Sequence, residues 1–225
     1  MKFVKQSDRQ PAVERVLQDM REKIILHHFP EGQSLTESML AEQYGVSRGT
    51  VRSAVQILEN EGLIVIGSNG RKTPETLTDK FIRNFYSTRI MLECEAIRIC
   101  MTESDMDYSV IAAACAGFYT LYAFSGEELY RRRNQVNTEF HRSLILATNN
   151  MSLWNCWKTI EPLMNAITEF NYLTLGDRQT NEELIHTHQT LMDMVMQKDQ
   201  KAFSVLREHI GIAERETSMG VHSQK

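Results

Sequence analysis

The chain has 225 residues, of which 42% are hydrophobic and 24% are charged, a balance typical of a folded protein with room for two modest domains. The formal net charge is −4, so attraction to a polyanion would depend on locally placed cations. No apolar run is long enough to cross a bilayer, and the N-terminus lacks the layout of a signal peptide. We therefore expect a cytoplasmic protein with no membrane partner.

The first predicted element is a helix from about Pro11 to His27. Its apolar residues recur at the spacing of one helix face, and a proline suits the first helical turn. The Pro30-Glu31-Gly32 segment is typical of a turn that ends such a helix.

Two more helices are predicted on either side of Gly45, which suits the left-handed end of the first of them. Ser47 is a good N-cap for the second. Arg48 and Arg52 are four residues apart and share a face of this second helix, near its N-terminal end. In helix-turn-helix proteins that end enters the major groove, where arginine bonds guanine bidentately and Thr50 can add a phosphate contact.

A β-hairpin is predicted directly after these helices. The apolar, β-branched run 63–66 suits a strand, and Asn69-Gly70 is the dipeptide favoured in two-residue hairpin turns. Gly70 would form the tip, and Arg71 and Lys72 would hold phosphates next to the minor groove. The alternative is an ordinary helix pair with a separate hairpin and surface arginines, but the ordered set favours a winged helix-turn-helix.

The domain organisation follows from where these patterns change. We predict a winged helix-turn-helix over residues 1–73, a linker at 74–78, a helical region at 79–217 and a flexible tail at 218–225. The helical region contains about six helices and no alternating strand pattern. The fold class is therefore mostly α. Residues 1–73 carry a net charge of +1 and the remainder −5, so two copies acting together would strengthen DNA binding.

Three histidines and one asparagine form a second constellation in the helical region. Asn137 and His141 are four residues apart and point the same way, while His188 and His209 lie on later helices. Three imidazoles and one oxygen donor would suit zinc, nickel or a similar divalent ion with open positions. The alternative reading is a set of hydrogen-bonded structural histidines.

The arginines of the same region have two possible roles. Arg89 opens its first helix in an apolar context and would pair either with an effector carboxylate or with Glu93. The run Arg131-Arg132-Arg133 follows Glu127 and Glu128 and reads as a solvated helix face.

The N-terminal pattern resembles the GntR family of bacterial transcription regulators. Gly49-Thr50 stands where the family usually has Thr-Pro. The matching residues are Pro30, Gly32, Leu35, Glu37, Leu40-Ala41, Gly45-Val46-Ser47-Arg48, Val51-Arg52, Leu58-Glu59 and Glu61-Gly62-Leu63.

The helical region resembles the FCD effector domain of the FadR subfamily of these regulators. The matches are Arg89-x-x-Leu92-Glu93, the segment from Asn137 to Leu144, His188, and Leu206 to Ile210. In many FCD domains an aspartate and three histidines hold a divalent metal beside a carboxylate effector. The resemblance implies Asn137, His141, His188 and His209 as ligands, with asparagine in the aspartate position. A metal-free polar pocket built on the same residues is the alternative.

These resemblances imply a homodimeric transcription regulator that binds a double-stranded DNA operator. Repression is the commoner mode, and a small carboxylate metabolite would be the effector. One alternative is a metal-responsive regulator in which the ion itself is the signal. A metal-dependent hydrolase is a further alternative, but no general base or nucleophile motif accompanies the histidines. We therefore expect a regulator and not an enzyme.

Overall fold

A computed structural model describes residues 11–30, 32–75 and 77–223, which form nine α-helices, one 3-10 helix and a two-stranded sheet. The chain divides into two compact units, Met1–Thr76 and Leu77–Lys225. This is the mostly α architecture, with a wing and a helical second unit, that the sequence predicts. No described helix is long and apolar enough to span a membrane.

The first unit contains three helices and the hairpin. Its elements are α1 (Ala12–Ile25), α2 (Glu37–Tyr44), α3 (Arg48–Asn60), β1 (Ile64–Ile66) and β2 (Lys72–Pro74). The Thr36 and Ser47 side chains cap α2 and α3, and Gly45 takes a left-handed conformation between them, with φ of 63°. The core is apolar and includes Met20, Leu40 and Val55, all fully buried.

The hairpin differs from the prediction in two respects. Ile66 pairs with Lys72, so the connection is the longer loop 67–71 and the two-residue turn was wrong. Asn69 Oδ1 accepts a hydrogen bond from Arg71 N–H at 3.0 Å, which closes that loop locally. Pro74 pairs with Ile64 at the end of β2, so the first residue of the expected linker belongs to the wing.

The second unit is an all-helical bundle. Its elements are α4 (Asp79–Thr102), α5 (Ser109–Gly117), the 3-10 helix (Phe118–Ala123), α6 (Gly126–Ala147), α7 (Met151–Leu175), α8 (Asn181–Met196) and α9 (Ala202–Ser223). The six α-helices agree with the prediction, but the 3-10 helix after α5 was not predicted. Helix α4 packs against α6, α7 and α9, and the bundle core includes Phe118, Phe140 and Trp157, all fully buried.

The segment expected to be a tail, residues 218–225, is helical as far as Ser223, where α9 ends, and its last two residues lie outside the described part of the chain. Thr217 is buried and its hydroxyl lies 2.8 Å from the hydroxyl of Tyr86. At Gly220 a Cβ atom would come within 2.6 Å of Thr174 Oγ1, so glycine lets α9 approach α7 closely. Long-range packing, absent from the local sequence pattern, therefore orders this end of the chain.

Candidate functional site

The N-terminal end of α3 presents two arginines to solvent. Ser47 Oγ accepts a hydrogen bond from Thr50 N–H at 3.1 Å and also lies 2.9 Å from the Thr50 hydroxyl. Arg48 is exposed, and the side chain of Arg52 is 66% exposed. The cap fixes the start of the helix, so both guanidinium groups project from its first turns.

Glu37, at the start of α2, connects this arginine face to the wing. Its carboxylate accepts hydrogen bonds from Arg52 Nε at 3.1 Å and from Arg52 Nη2 at 2.8 Å, and Lys72 Nζ lies 3.9 Å away. The hydrogen bonds from Arg52 hold the pKa of Glu37 below its usual value. Arg71 Nη2 donates to the carbonyl of Gly32 at 2.6 Å. The predicted reading-helix and wing cations therefore share one basic surface.

In the second unit, three predicted metal ligands meet from three different helices. One ligating atom each of His141, His188 and His209 lies within 4.8 Å of the others. His141 and His188 are fully buried, and His209 is half-buried. Asn137 joins them, with its Oδ1 atom 3.1 Å from His188 Nε2. The structure thus brings together all four residues that the family resemblance implies.

The Nδ1 atoms of His188 and His141 have hydrogen-bond partners outside the cluster, and these bonds direct the Nε2 atoms towards the other ligands. His188 Nδ1–H donates to the carbonyl of Leu184 at 2.7 Å, so its Nε2 carries a lone pair that faces the oxygen of Asn137. His141 Nδ1 lies 2.6 Å from the Glu93 carboxylate, and its Nε2 faces His209 Nε2 at 3.2 Å. Converging lone pairs of this kind suit a bound cation.

The electrostatics keep the cluster in the form that ligates metals. Burial lowers the pKa of His188 to about 4. Burial also lowers the pKa values of His141 and His209, and the positive charges of nearby groups add to this effect. Burial therefore favours the neutral form of all three imidazoles, which is the form that ligates metals.

Arg89 lies in the middle of α4 and does not open it, because that helix begins at Asp79. Its Nε donates to Glu93 Oε1 at 2.6 Å, while the other oxygen of that carboxylate contacts His141. Both side chains of this ion pair are buried. Burial raises the pKa of Glu93, and the positive charge of Arg89 acts in the opposite direction. Arg89 is thus anchored immediately beside the histidine cluster.

A cavity of about 160 Å³ adjoins the cluster, and Arg89, Asn137 and His209 all line it. Many of the residues that line it recur at helical spacing on α6, α7 and α9. The lining residues on these three helices include Tyr130, Asn134 and Asn137 of α6, Thr168, Asn171 and Tyr172 of α7, and His209, Ala213 and Glu216 of α9. The cavity therefore runs along the bundle and reaches the histidines at one end.

The prediction that Arg131-Arg132-Arg133 forms one solvated face was wrong for its last member. Arg131 is exposed and pairs with Glu127. Arg133 lines the cavity and is held by Asp177, by the carbonyl of Gln179 at 3.1 Å and by the Asn181 side chain. These contacts attach the loop between α7 and α8 to α6, so this arginine forms part of the cavity wall.

Sequence reasoning also missed the polar side chains that line the cavity beyond the cluster. Tyr130, Asn134, Asn137 and His141 follow one another at helical spacing along α6, a signal that was available in the sequence. Asn171, on α7, had no such signal. Its place in the cavity depends on how α7 packs against α6 and α9.

The donor set fits a divalent metal. Three neutral imidazoles and an amide oxygen match the nitrogen and oxygen ligands that zinc and nickel accept. Asn137 contributes no charge, so a bound ion would keep its positive charge next to Arg89 and the cavity. The chemistry supplied there would be attraction of an anionic group.

Comparisons with known proteins match both units. The model of the bacterial regulatory proteins of the gntR family matches residues 12–71, and that of the FCD domain matches residues 84–211. The uncharacterized HTH-type transcriptional regulator YdhC of Bacillus subtilis is 26% identical over 183 residues, which cover 81% of this chain and 80% of YdhC. The gluconate operon transcriptional repressor of Bacillus licheniformis is 24% identical, over 82% of this chain and 76% of the repressor.

The fold agrees with these sequence matches. A GntR transcriptional regulator from Rhodococcus sp. RHA1 superposes with a TM-score of 0.63 at 21% identity, covering 91% of this chain and 96% of the Rhodococcus chain. The FCD match alone spans more than half of the 225 residues. A winged helix with exposed arginines and a helical FCD domain make this chain a member of the GntR family of DNA-binding transcription regulators.

Proposed function

We propose that this regulator is a homodimeric repressor released from its operator by a small carboxylate that binds in the FCD cavity. Double-stranded DNA, the effector and a second copy of the chain are then its partners, and it acts in the cytoplasm. A divalent metal, zinc or nickel, in the histidine cluster completes the effector site. The observation that carries this proposal is the buried Arg89 guanidinium beside three converging imidazoles at the end of a cavity.

The DNA-binding part rests on the basic surface formed by α3 and the wing. Arg48 and Arg52 would contact base edges, since a bidentate arginine–guanine pair discriminates by about 1–3 kcal/mol. Ser47, Thr50, Gly70, Arg71 and Lys72 would contact the backbone. One reading helix covers only a few base pairs, and two-fold operators therefore require two copies.

The effector part rests on the charge of the cavity end. Arg89 Nε is occupied by Glu93, but its Nη2 atom is buried and has no hydrogen-bond partner. A carboxylate oxygen is the acceptor that best satisfies such a donor. A metal held by the neighbouring cluster would attract the same anion, so both features favour a carboxylate.

Regulation would follow from a shift between two populations of the dimer. An effector that binds one arrangement of the helical domains more tightly stabilises that arrangement. If this arrangement places the two winged helices at a spacing that does not match the half-sites, operator affinity falls by the same coupling free energy. Repression is proposed because the matched gluconate operon regulators are named repressors.

A second candidate is a regulator for which the metal itself is the signal. It is favoured by the histidine cluster, whose ligating atoms already converge. Operator affinity would then change with metal alone, at constant concentration of every organic acid.

The test begins with selection of operator sequences from a random duplex library by the full-length protein. Operator affinity is then measured by fluorescence anisotropy with a panel of carboxylates, with and without Zn²⁺ or Ni²⁺. The proposal expects two-fold symmetric sites and release by a carboxylate. A response to metal alone would favour the second candidate, and an affinity indifferent to every acid and ion would refute both.

Replacement of Asn137 by aspartate is expected to tighten metal binding by at least roughly tenfold, or ~1.4 kcal/mol. A carboxylate brings a full negative charge to a position where the amide brings none. The measurement is competition for Zn²⁺ against a chromophoric chelator. The matched control is Asn134→Asp, which adds the same charge to the same cavity one turn away. Equal tightening in both variants would contradict a ligand role for residue 137.

A further inference from the structure

Unsatisfied polar atoms are concentrated in the FCD cavity. In residues 11–30, 32–75 and 77–223, five buried side-chain atoms have no hydrogen-bond partner. Four of them belong to residues that line this one cavity, and they are Arg89 Nη2, Tyr130 Oη, Asn134 Oδ1 and Asn171 Oδ1. Buried polar groups in native proteins are nearly always bonded, so a concentration of exceptions at one place indicates a polar ligand.

The chemistry of these four atoms specifies the groups that such a ligand carries. Arg89 Nη2 is a cationic donor and matches an anionic oxygen. The two asparagine oxygens are neutral acceptors, so they require two donors. Burial raises the pKa of Tyr130, which keeps its phenol protonated and able both to donate and to accept. The ligand therefore combines an anion, two donors and a further polar group.

The donors match hydroxyl groups better than an ammonium group. The two carboxylates in the cavity lining, Asp177 and Glu216, are each paired with an arginine, and so is Glu93 beside the histidines. Glu93 pairs with Arg89, and the remaining pairs are Asp177 with Arg133 and Glu216 with Arg178. An ammonium group placed at Asn134 or Asn171 would meet a neutral amide oxygen there, at a higher desolvation cost than a hydroxyl. A hydroxyl donates to the same oxygens without that cost.

The spacing of the cavity residues limits the length of the ligand. Arg89 lies at the histidine end, because it shares the Glu93 carboxylate with His141. Tyr130 is seven residues before Asn137 on α6, a rise of about 10 Å along the helix. A ligand that hydrogen-bonds at both ends, at about 3 Å each, spans about 4 Å between its terminal polar atoms, which corresponds to a chain of roughly three or four carbons.

The size of the cavity agrees with this length. It measures about 160 Å³, close to the engineered cavity of roughly 150 Å³ that accepts benzene. Tyr130 and Tyr172 both line it, and their rings stack with centroids 3.6 Å apart. This small space suits a compact hydroxylated chain and not a long acyl group.

We propose that the cavity binds a short polyhydroxylated monocarboxylate, with the carboxylate at Arg89 and the hydroxyl groups at Asn134, Asn171 and Tyr130. This inference rests on the proposed carboxylate effector and adds the residues that read the rest of the molecule. Each hydrogen bond that the ligand makes to one of these four atoms adds a modest net contribution to affinity. About fivefold for each gives roughly 25- to 125-fold for two or three.

The experiment is calorimetric titration of the full-length protein with matched pairs of acids, repeated with one equivalent of Zn²⁺. The pairs are threonate with butyrate and gluconate with hexanoate, which differ in hydroxyl groups at equal chain length. The expected result is binding of at least one hydroxylated acid at least 25-fold tighter than its partner. Threonine is added as a probe for an ammonium group. If threonine binds more tightly than threonate, the assignment of hydroxyl groups to the asparagine oxygens is overturned.

Tyr130→Phe is the sharpest variant, because it removes only a hydroxyl that has no partner in the protein. Its unfolding temperature should therefore equal that of the parent, while the hydroxylated acid binds about fivefold more weakly. Binding of the hydroxyl-free acid should not change. The matched control is Tyr119→Phe, an exposed tyrosine outside the cavity.

The outcomes separate this inference from the proposed function. If the hydroxylated and the hydroxyl-free acid of each pair bind equally tightly, hydroxyl recognition is refuted and the carboxylate effector stands. The same holds if Tyr130→Phe leaves the affinity for the hydroxylated acid unchanged. If no acid binds with or without Zn²⁺, the carboxylate effector itself is refuted, and this inference with it.

Discussion

Replacement of Arg52 by alanine is expected to abolish specific operator binding. A lost bidentate arginine–guanine contact costs about 1–3 kcal/mol, and a two-fold operator loses it twice. The sum of about 2–6 kcal/mol corresponds to a fall in affinity of about thirtyfold to more than ten-thousandfold. Anisotropy titration of the selected operator and of a scrambled duplex measures the loss of specificity.

The fold should survive this substitution. The pair between Arg52 and Glu37 is exposed at the arginine, and exposed pairs contribute only about 0–1 kcal/mol. The matched control is Arg98→Ala, which removes an exposed arginine from an ion pair with Glu95 in the other unit. A variant at residue 52 with parental operator affinity would show that α3 does not read the bases.

Replacement of His209 by alanine is expected to weaken metal binding at the cluster by at least about a hundredfold, since one of three imidazole ligands is lost. The effector response should be lost with the metal, whereas operator affinity without effector should match the parent. Because His209 is half-buried, its removal should disturb packing less than removal of His188. Chelator competition measures the metal, and anisotropy measures the response.

His186→Ala is the matched control for this prediction. His186 is exposed and lies two residues from His188, so it points away from the cluster. The His186→Ala variant should bind metal with the affinity of the parent protein. Parental metal affinity in the His209 variant would place the ion elsewhere, and an unaltered effector response would remove the cluster from the mechanism.

The DNA-binding unit was predicted well because its signals are local. Gly45 and Ser47 act on the residues directly next to them, and the period of apolar residues sets which face of α3 is buried. The exposure of Arg48 and Arg52 follows from that period. The hairpin itself was predicted, but the length of its turn was not. That length is set by the pairing of Ile66 with Lys72, which the local sequence does not reveal.

In the second unit the sequence by itself indicated the helices and, through a family resemblance, which histidines belong together. Only the tertiary structure decided what surrounds them. Glu93 contacts His141 from another helix, 48 residues earlier in the chain. The burial that lowers the pKa values of the histidines arises in the same packing.

The helical end of α9 and the polar lining of the cavity both depend on tertiary packing. Helix boundaries depend on short-range propensities and caps, so the sequence of each segment determines them. The contacts of Thr217, Gly220 and Asn171 depend on how α9, α7 and α4 pack, and that packing sums many weak interactions between distant residues. For this protein the sequence determined the fold class and the DNA-reading face, and the packing of the bundle decided the shape and chemistry of the cavity.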